Sequence, residues 1–347
     1  MACKTSVGAT RKGNGSSGTP WLLAGGRMSG NVRSQREEFV KITVTGATGF
    51  VGSRLVQRLQ QEGHQVVVLT RREETGRRVF PASNFPNVAI VPYTPLESGD
   101  WQNAIAGCDA VVNLAGAPIA DERWTPERKQ VIMDSRRVGT QKIVEAIAKA
   151  NPKPSVLVNS SAIGYYGTSE TARFDENSPS GSDFLAQVCQ AWEAEAEKVK
   201  ESGTRLVILR TGIVLGMGGA IAKMLPPFRM FAGGPIGSGT QWFSWIHRED
   251  MVSLIIKAIT DSSMSGTYNA TAPNPVRMSE FSNELGKAMN RPSWLPVPGF
   301  VIEALLGDAA IVVLEGQQVI PQRTQQTGFQ YQYSAVAGAI EAVLQEG

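Results

Sequence analysis

The sequence predicts an α/β fold: a Rossmann-type doubly wound parallel sheet with a smaller C-terminal α+β lobe. Three observations carry this. Short β-branched runs alternate with longer helical stripes from residue 40 to residue 211. The first run ends in a glycine-rich turn, TGATGFVG at residues 45–52, that opens into a helical stripe. Beyond residue 212, glycines and prolines break the alternation. Strands that alternate with helices form parallel βαβ units, because parallel neighbours need a crossover connection. The expected division is a leader over 1–36, a sheet domain over 37–211 and a smaller lobe over 212–347 that returns elements to the sheet.

Taken in order, VKITVT (40–45) reads as a buried strand ended by glycine. Residues 50–62 place Phe50, Val51, Leu55, Val56 and Leu59 on one helical stripe, closed by Gly63. QVVVLT (65–70) is the second strand, and residues 88–92 and 110–113 are two more, with a short helix near 101–106 between them. A long helix over 125–150 starts with Thr125 as N-cap and Pro126 in the first turn. Strand 155–161, helix 183–202 (ending at Gly203) and strand 205–211 complete the regular part. In the lobe, helices near 250–260 and 279–289 alternate with short strands at 241–246 and 267–270. The apolar stripe over 334–344 is a helix that packs on the domain.

Composition removes several function classes. Cys3, Cys108 and Cys189 are too few and too scattered for a disulfide framework or a zinc site, and His64 and His247 do not make a histidine metal cluster. The net charge of +3 belongs to the leader. Residues 1–36 hold Lys4, Arg11, Lys12, Arg27, Arg33 and Arg36 and no acid; taking those six from the chain's 34 leaves 28 basic against 31 acidic residues. A nucleic-acid partner therefore loses its electrostatic support. The Gly/Ser-rich, acid-free leader reads as a transit peptide, leaning toward the plastid because no Arg-rich amphipathic helix is evident.

The chemistry starts at the glycine turn. Gly46 permits the tight turn, Gly49 lets backbone N–H groups approach a pyrophosphate, and Gly52 lets helix and strand pack closely. Phosphates then meet the positive end of a helix dipole, so Gly46, Thr48, Gly49, Phe50 and Gly52 are the candidate cofactor-binding set. At the end of the second strand, where an NAD site carries a carboxylate for the ribose 2′-hydroxyl, the chain has Arg71 and Arg72. Guanidinium groups suit a 2′-phosphate, so NADP(H) is the expected cofactor and NAD(H) the alternative. NLAGAP at 113–118 brings Asn113, Ala115 and Gly116 beneath the dinucleotide at the end of the fourth strand.

TGATGFVG, NLAGAP, SSAIGYYG (160–167), LRTGIVLG (209–216) and WIHREDMV (245–252) follow one another in an order that resembles extended short-chain dehydrogenases/reductases, and more closely their atypical epimerase-family, SulA-like subgroup. The resemblance runs from about residue 40 to residue 344. It implies a substrate lobe after the sheet and a proton-transferring tyrosine followed four residues later by a lysine. Phe184 and Val188 stand at those positions, so the standard pair is absent. Ser160 or Ser161 fills the family's serine position, and Tyr165 or Tyr166 could stand in as the acid; Ser161, Tyr165 and Tyr166 are the catalytic candidates. His247 and Asp250 lie at a strand-to-helix junction, where the resemblance implies structure, with Asp250 as N-cap or first-turn acid. Arg210 or Arg229 could meet an anionic group, and the glycine-rich stretch 233–245 is either a mobile cover or a hairpin.

Two readings follow. One is a nucleotide-binding regulator: a relative within the resembled subgroup works in plastid division, which implies plastid-division proteins as partners and at most a peripheral place on the stromal face of the inner envelope. The other is an active NADP-dependent reductase or epimerase acting on a small, nucleotide-sugar-like substrate.

Overall fold

The computed structural model describes residues 40–346; the leader and its expected transit function lie outside them. Seven strands form one parallel sheet: β1 (Lys41–Thr45), β2 (Gln65–Thr70), β3 (Val88–Pro92), β4 (Ala110–Asn113), β5 (Val156–Ala162), β6 (Arg205–Thr211) and β7 (Gly266–Ala270). Their spatial order is β3-β2-β1-β4-β5-β6-β7, so the chain reverses direction across the sheet between β1 and β4. In open α/β sheets that crevice, at the carboxyl ends of the strands, is where ligands bind.

Both faces of the sheet are covered, and the strands show it by period-two partition. Ile42 and Val44 of β1, Val112 of β4, Val158 of β5 and Val207 and Leu209 of β6 enter one core with α1 (Phe50–Gln61) and helix Arg248–Thr260. Val111, Leu157, Leu206 and Ile208 enter the opposite core with Ile143 and Ile147 of α3 (Pro126–Lys149). Residues that alternate faces along one strand can fill two cores only if helices close both sides.

The helix starts follow cap chemistry. Thr125 caps α3 by accepting the Arg128 N–H, and Asp183 caps α4 (Phe184–Glu197) by accepting the Ala186 N–H. A short helix, α2 (Glu73–Val79), was not expected from the sequence; at seven residues it is too short for a readable stripe. Beyond β6 a third core gathers Leu225, Phe228, Trp245, Phe281 and Leu285 with Val336, Ile340 and Val343 of the C-terminal helix. The lobe's helix Ala220–Arg229 carries Pro226 and Pro227 internally, which hid it from a pattern reading. No helix among the described residues is long and apolar enough to cross a membrane.

Candidate functional site

The crevice begins at the glycine turn. Gly46 has φ +65°, and a Cβ there would come within 2.8 Å of the Leu114 backbone; the turn and the loop after β4 are thus in backbone contact. A Cβ on Gly52 would run into the Gly46 carbonyl. Gly49, the N-cap of α1, has an exposed backbone, and no side chain caps this helix. The first turn of α1 therefore presents unclaimed N–H groups with no acid beside them, the arrangement an anionic pyrophosphate needs. Phe50 floors the opposite side: its ring lies where a Cβ on Gly216 or Gly219 would fall, and the Arg248 guanidinium sits 5.1 Å from its centroid. Arg71 and Arg72 are both exposed, and neither is in an ion pair among the described residues. The residues present fit a nicotinamide dinucleotide.

Asn113 is placed differently from expectation. It is 2 % exposed; its Oδ1 accepts from Thr45 Oγ1 at 2.7 Å, and its Nδ2 donates to Asn159 Oδ1 at 2.7 Å and Thr140 Oγ1 at 3.0 Å. Its hydrogen-bonding capacity is spent inside the protein. Asn113 fastens β1, β4, β5 and α3 together and so positions Ala115 and Gly116, whose backbone lines the crevice. Ala115 donates its N–H to Thr45 Oγ1 at 3.3 Å.

At the ends of β5 and β6 lies a buried polar network. Glu193 on α4 accepts from Arg210 Nε at 2.9 Å and Nη2 at 2.8 Å, and from Ser161 Oγ at 2.6 Å. Arg210 Nη1 reaches Tyr166 Oη at 3.0 Å, and Tyr166 donates to Asn269 Oδ1 at 2.7 Å. The Arg210 guanidinium stacks on the Tyr165 ring at 3.3 Å. The three catalytic candidates are therefore brought together, each through Arg210 or Glu193. Burial pushes the Tyr166 phenol up to about 12 against the pull of Arg210, so it holds its proton at neutral pH. Arg210, one of two arginines that could have met an anionic group, is 5 % exposed and bound bidentately by Glu193. Glu193 and Asn269 were not singled out in the sequence; a glutamate inside an apolar stripe was the available signal for the first.

On α4, Phe184 and Val188 pack with Trp124, Ile132 and Ala309, with the Phe184 and Trp124 rings 5.1 Å apart. The face turned to the end of β5 carries Leu185, which abuts Gly164, and Cys189, whose thiol approaches the Ala162 carbonyl at 3.7 Å. Neither supplies a phenol or an ammonium. Lys142 and Lys198 pair with Glu145 and Glu195 on their own helices.

His247 caps helix Arg248–Thr260 by accepting the Glu249 N–H, and it lies 3.9 Å from the Tyr333 ring; burial lowers its pKa. Asp250 is not the cap but a first-turn acid that accepts the N–H groups of Gln332 and Tyr333. The glycine-rich stretch 233–245 is tied down, with Trp242–Phe243 paired antiparallel to Val276–Arg277 and Ile236 bridged to Val297. Among the described residues no cluster of His, Cys, Asp and Glu could hold a metal ion.

Comparison with known proteins agrees with this geometry. The profile of the NAD dependent epimerase/dehydratase family matches residues 42–270, and that of a domain of unknown function (DUF1731) matches 297–343. The chain is 51% identical over 315 residues to the epimerase family protein SDR39U1 homolog, chloroplastic, of Arabidopsis thaliana, covering 90% of this chain and 89% of that one. It is 37% identical over 310 residues to the human epimerase family protein SDR39U1, covering 88% and 100%. The crystal structure of human SDR39U1 (isoform 2) with NADPH superposes with a TM-score of 0.77 at 36% identity, over 88% of this chain and 100% of that one.

Proposed function

Because this chain belongs to the NAD dependent epimerase/dehydratase family, we propose that it is an NADP(H)-binding member that regulates rather than catalyses. The observation that carries this is the pairing of a complete dinucleotide crevice with a reaction centre lacking the tyrosine–lysine pair. A bound dinucleotide would supply hydride transfer at its nicotinamide ring. This chain's residues would hold its pyrophosphate on the turn from Gly46 to Gly52 and its 2′-phosphate on Arg71 and Arg72. The NADPH-bound human relative supports the choice of cofactor.

The plastid is the proposed compartment, supported by the acid-free leader and by the chloroplastic relative. The proposed role is in plastid division, as a counterpart of the plant protein giant chloroplast, through protein contacts at the stromal face; it rests on the sequence resemblance. Calorimetric titration with NADPH and then NADH tests the cofactor reading: micromolar NADPH binding with much weaker NADH is expected, and binding of neither reduces the turn to a relic. Plastid number and size in a null line test the role, and normal plastids would count against it.

A second reading has one observation in its favour: Tyr165 and Tyr166 both contact Arg210 near the end of β5. In it the chain is an NADP-dependent reductase or epimerase using one of those phenols with Ser161. Turnover retained by Tyr165→Phe/Tyr166→Phe would remove it.

A further inference from the structure

Arg136, on α3, is the charged side chain that neither the cofactor turn nor the buried network explains. Its guanidinium lies against Gly116, so close that a Cβ there would be 3.0 Å from Cζ. On its other side it faces the Trp192 ring, 5.2 Å from the centroid. Its hydrogen bonds are weak and local: Nη1 donates to the Ile132 carbonyl at 3.2 Å and lies 3.5 Å from Ser135 Oγ. No carboxylate pairs with it among the described residues. Glu193, one helical step from Cys189, is already taken by Arg210 and Ser161. Burial pushes the neighbouring Cys189 thiol up to about 11, so it offers no thiolate.

An uncompensated guanidinium in a half-buried position is costly unless something anionic comes to it. Burial already lowers the Arg136 pKa, the signature of that cost. Beside it the indole N–H of Trp192, 4 % exposed, also lacks an acceptor. A guanidinium with no carboxylate partner and an indole N–H with no acceptor thus lie side by side, next to the loop after β4 that touches the glycine turn.

We propose that Arg136 is an anion-binding residue of the crevice, donating to a phosphate or carboxylate oxygen beside the Gly116 loop. The inference rests on the reading of the crevice as a dinucleotide site. The oxygen has two sources: the cofactor's pyrophosphate, or an acidic group on the molecule bound beside the nicotinamide.

The full chain, Arg136→Gln and Arg136→Lys are titrated in two arms. The first measures NADPH, NADH and 2′,5′-ADP, which has the 2′-phosphate and no pyrophosphate, by calorimetry. The second titrates inorganic phosphate into the NADPH-loaded protein by tryptophan fluorescence, with Trp192→Phe identifying the signal. Loss of a fork-shaped, charge-assisted contact weakens binding by about tenfold to hundredfold, and lysine, a point charge, restores part of it. If the oxygen is the pyrophosphate's, Arg136→Gln weakens NADPH and NADH together, and 2′,5′-ADP, which keeps only the adenosine-side phosphate, by no more than these. If it belongs to a second ligand, nucleotide binding holds and phosphate binding is lost. Wild-type behaviour in both arms overturns the proposal. Should Arg136→Gln not fold, the lysine variant decides, since affinities equal to wild type in both arms would again overturn it. If the wild-type chain binds neither nucleotide, the cofactor reading fails, and the phosphate arm on the unloaded protein still decides for Arg136.

Discussion

Replacing Glu193 with alanine should cost more stability than any surface change. Glu193 and Arg210 are 8 % and 5 % exposed, and the carboxylate takes two Arg210 donors and the Ser161 hydroxyl at 2.6–2.9 Å. Glu193→Ala leaves a guanidinium buried without its anion, which costs about 3–5 kcal/mol. The unfolding entropy of a body of about 300 residues is roughly 0.6 kcal/mol per degree, so the midpoint should fall by about 5–8 °C. The assay is thermal unfolding by circular dichroism at neutral pH, with Glu193→Leu/Arg210→Met beside the single variants. Removing both charges together removes the uncompensated one, so the double variant should regain at least half of the loss. A single-variant shift under about 2 °C, or a double variant no better than either single, would refute the assignment of this pair as a closed structural unit.

Three further outcomes follow from the crevice and the lobe. Arg71→Gln/Arg72→Gln should weaken NADPH by about tenfold to hundredfold and leave NADH nearly unchanged, because charge-assisted hydrogen bonds to the 2′-phosphate are lost; equal weakening of both in calorimetry would take the arginines out of the cofactor site. Gly52→Val should abolish binding of both nucleotides, since its Cβ drives into the Gly46 carbonyl; wild-type titrations would show that the turn tolerates what its geometry forbids. His247, buried with its pKa lowered by desolvation, binds its proton less readily folded than unfolded. Its contribution is complete above its unfolded value of about 6.5 and is lost as pH falls below it. His247→Asn, which keeps a capping side chain, should therefore lose less thermal stability than wild type between pH 7.5 and pH 5.5, and parallel losses would contradict the sign.

Six of the seven sheet strands were legible because their signals are local: each is a short apolar, largely β-branched run, and β2, β3, β4 and β6 begin and end where the residue pattern places them. The seventh, GTYNA, has little β-branched character and was read as part of the lobe, whereas it pairs with β6 at the sheet edge. The glycine turn was legible for the same reason: three glycines between a strand and a helix constrain the backbone whatever lies elsewhere. The hydrogen-bond partners of Asn113 and Arg210 were not legible because they are distant in sequence. Asn113 meets Thr45 across 68 residues and Asn159 across 46, and no local pattern reveals that an amide's capacity is already used. Arg136 left no signal at all, since an arginine in a long mixed helix reads as a solvated side chain until Gly116 and Trp192 close around it.

The orientation of α4 shows what such ambiguity can and cannot change. Phe184, Leu185, Val188, Cys189 and Trp192 form so broad an apolar stripe that two choices of facing residues, Phe184 with Val188 or Leu185 with Cys189, satisfy the same four-residue spacing. Sequence periodicity has no means of separating them. The separation comes from Glu193, whose pairing with Arg210 on β6 fixes the rotation of the helix against the sheet and turns Cys189 toward β5. In either rotation the paired positions hold apolar or thiol side chains and never a phenol with an ammonium. The absence of the tyrosine–lysine pair is therefore a property of the sequence that the helix's rotation cannot restore. In the catalytic reading proposed above, the proton donor is Tyr165 or Tyr166 with Ser161, outside the family's usual helix positions.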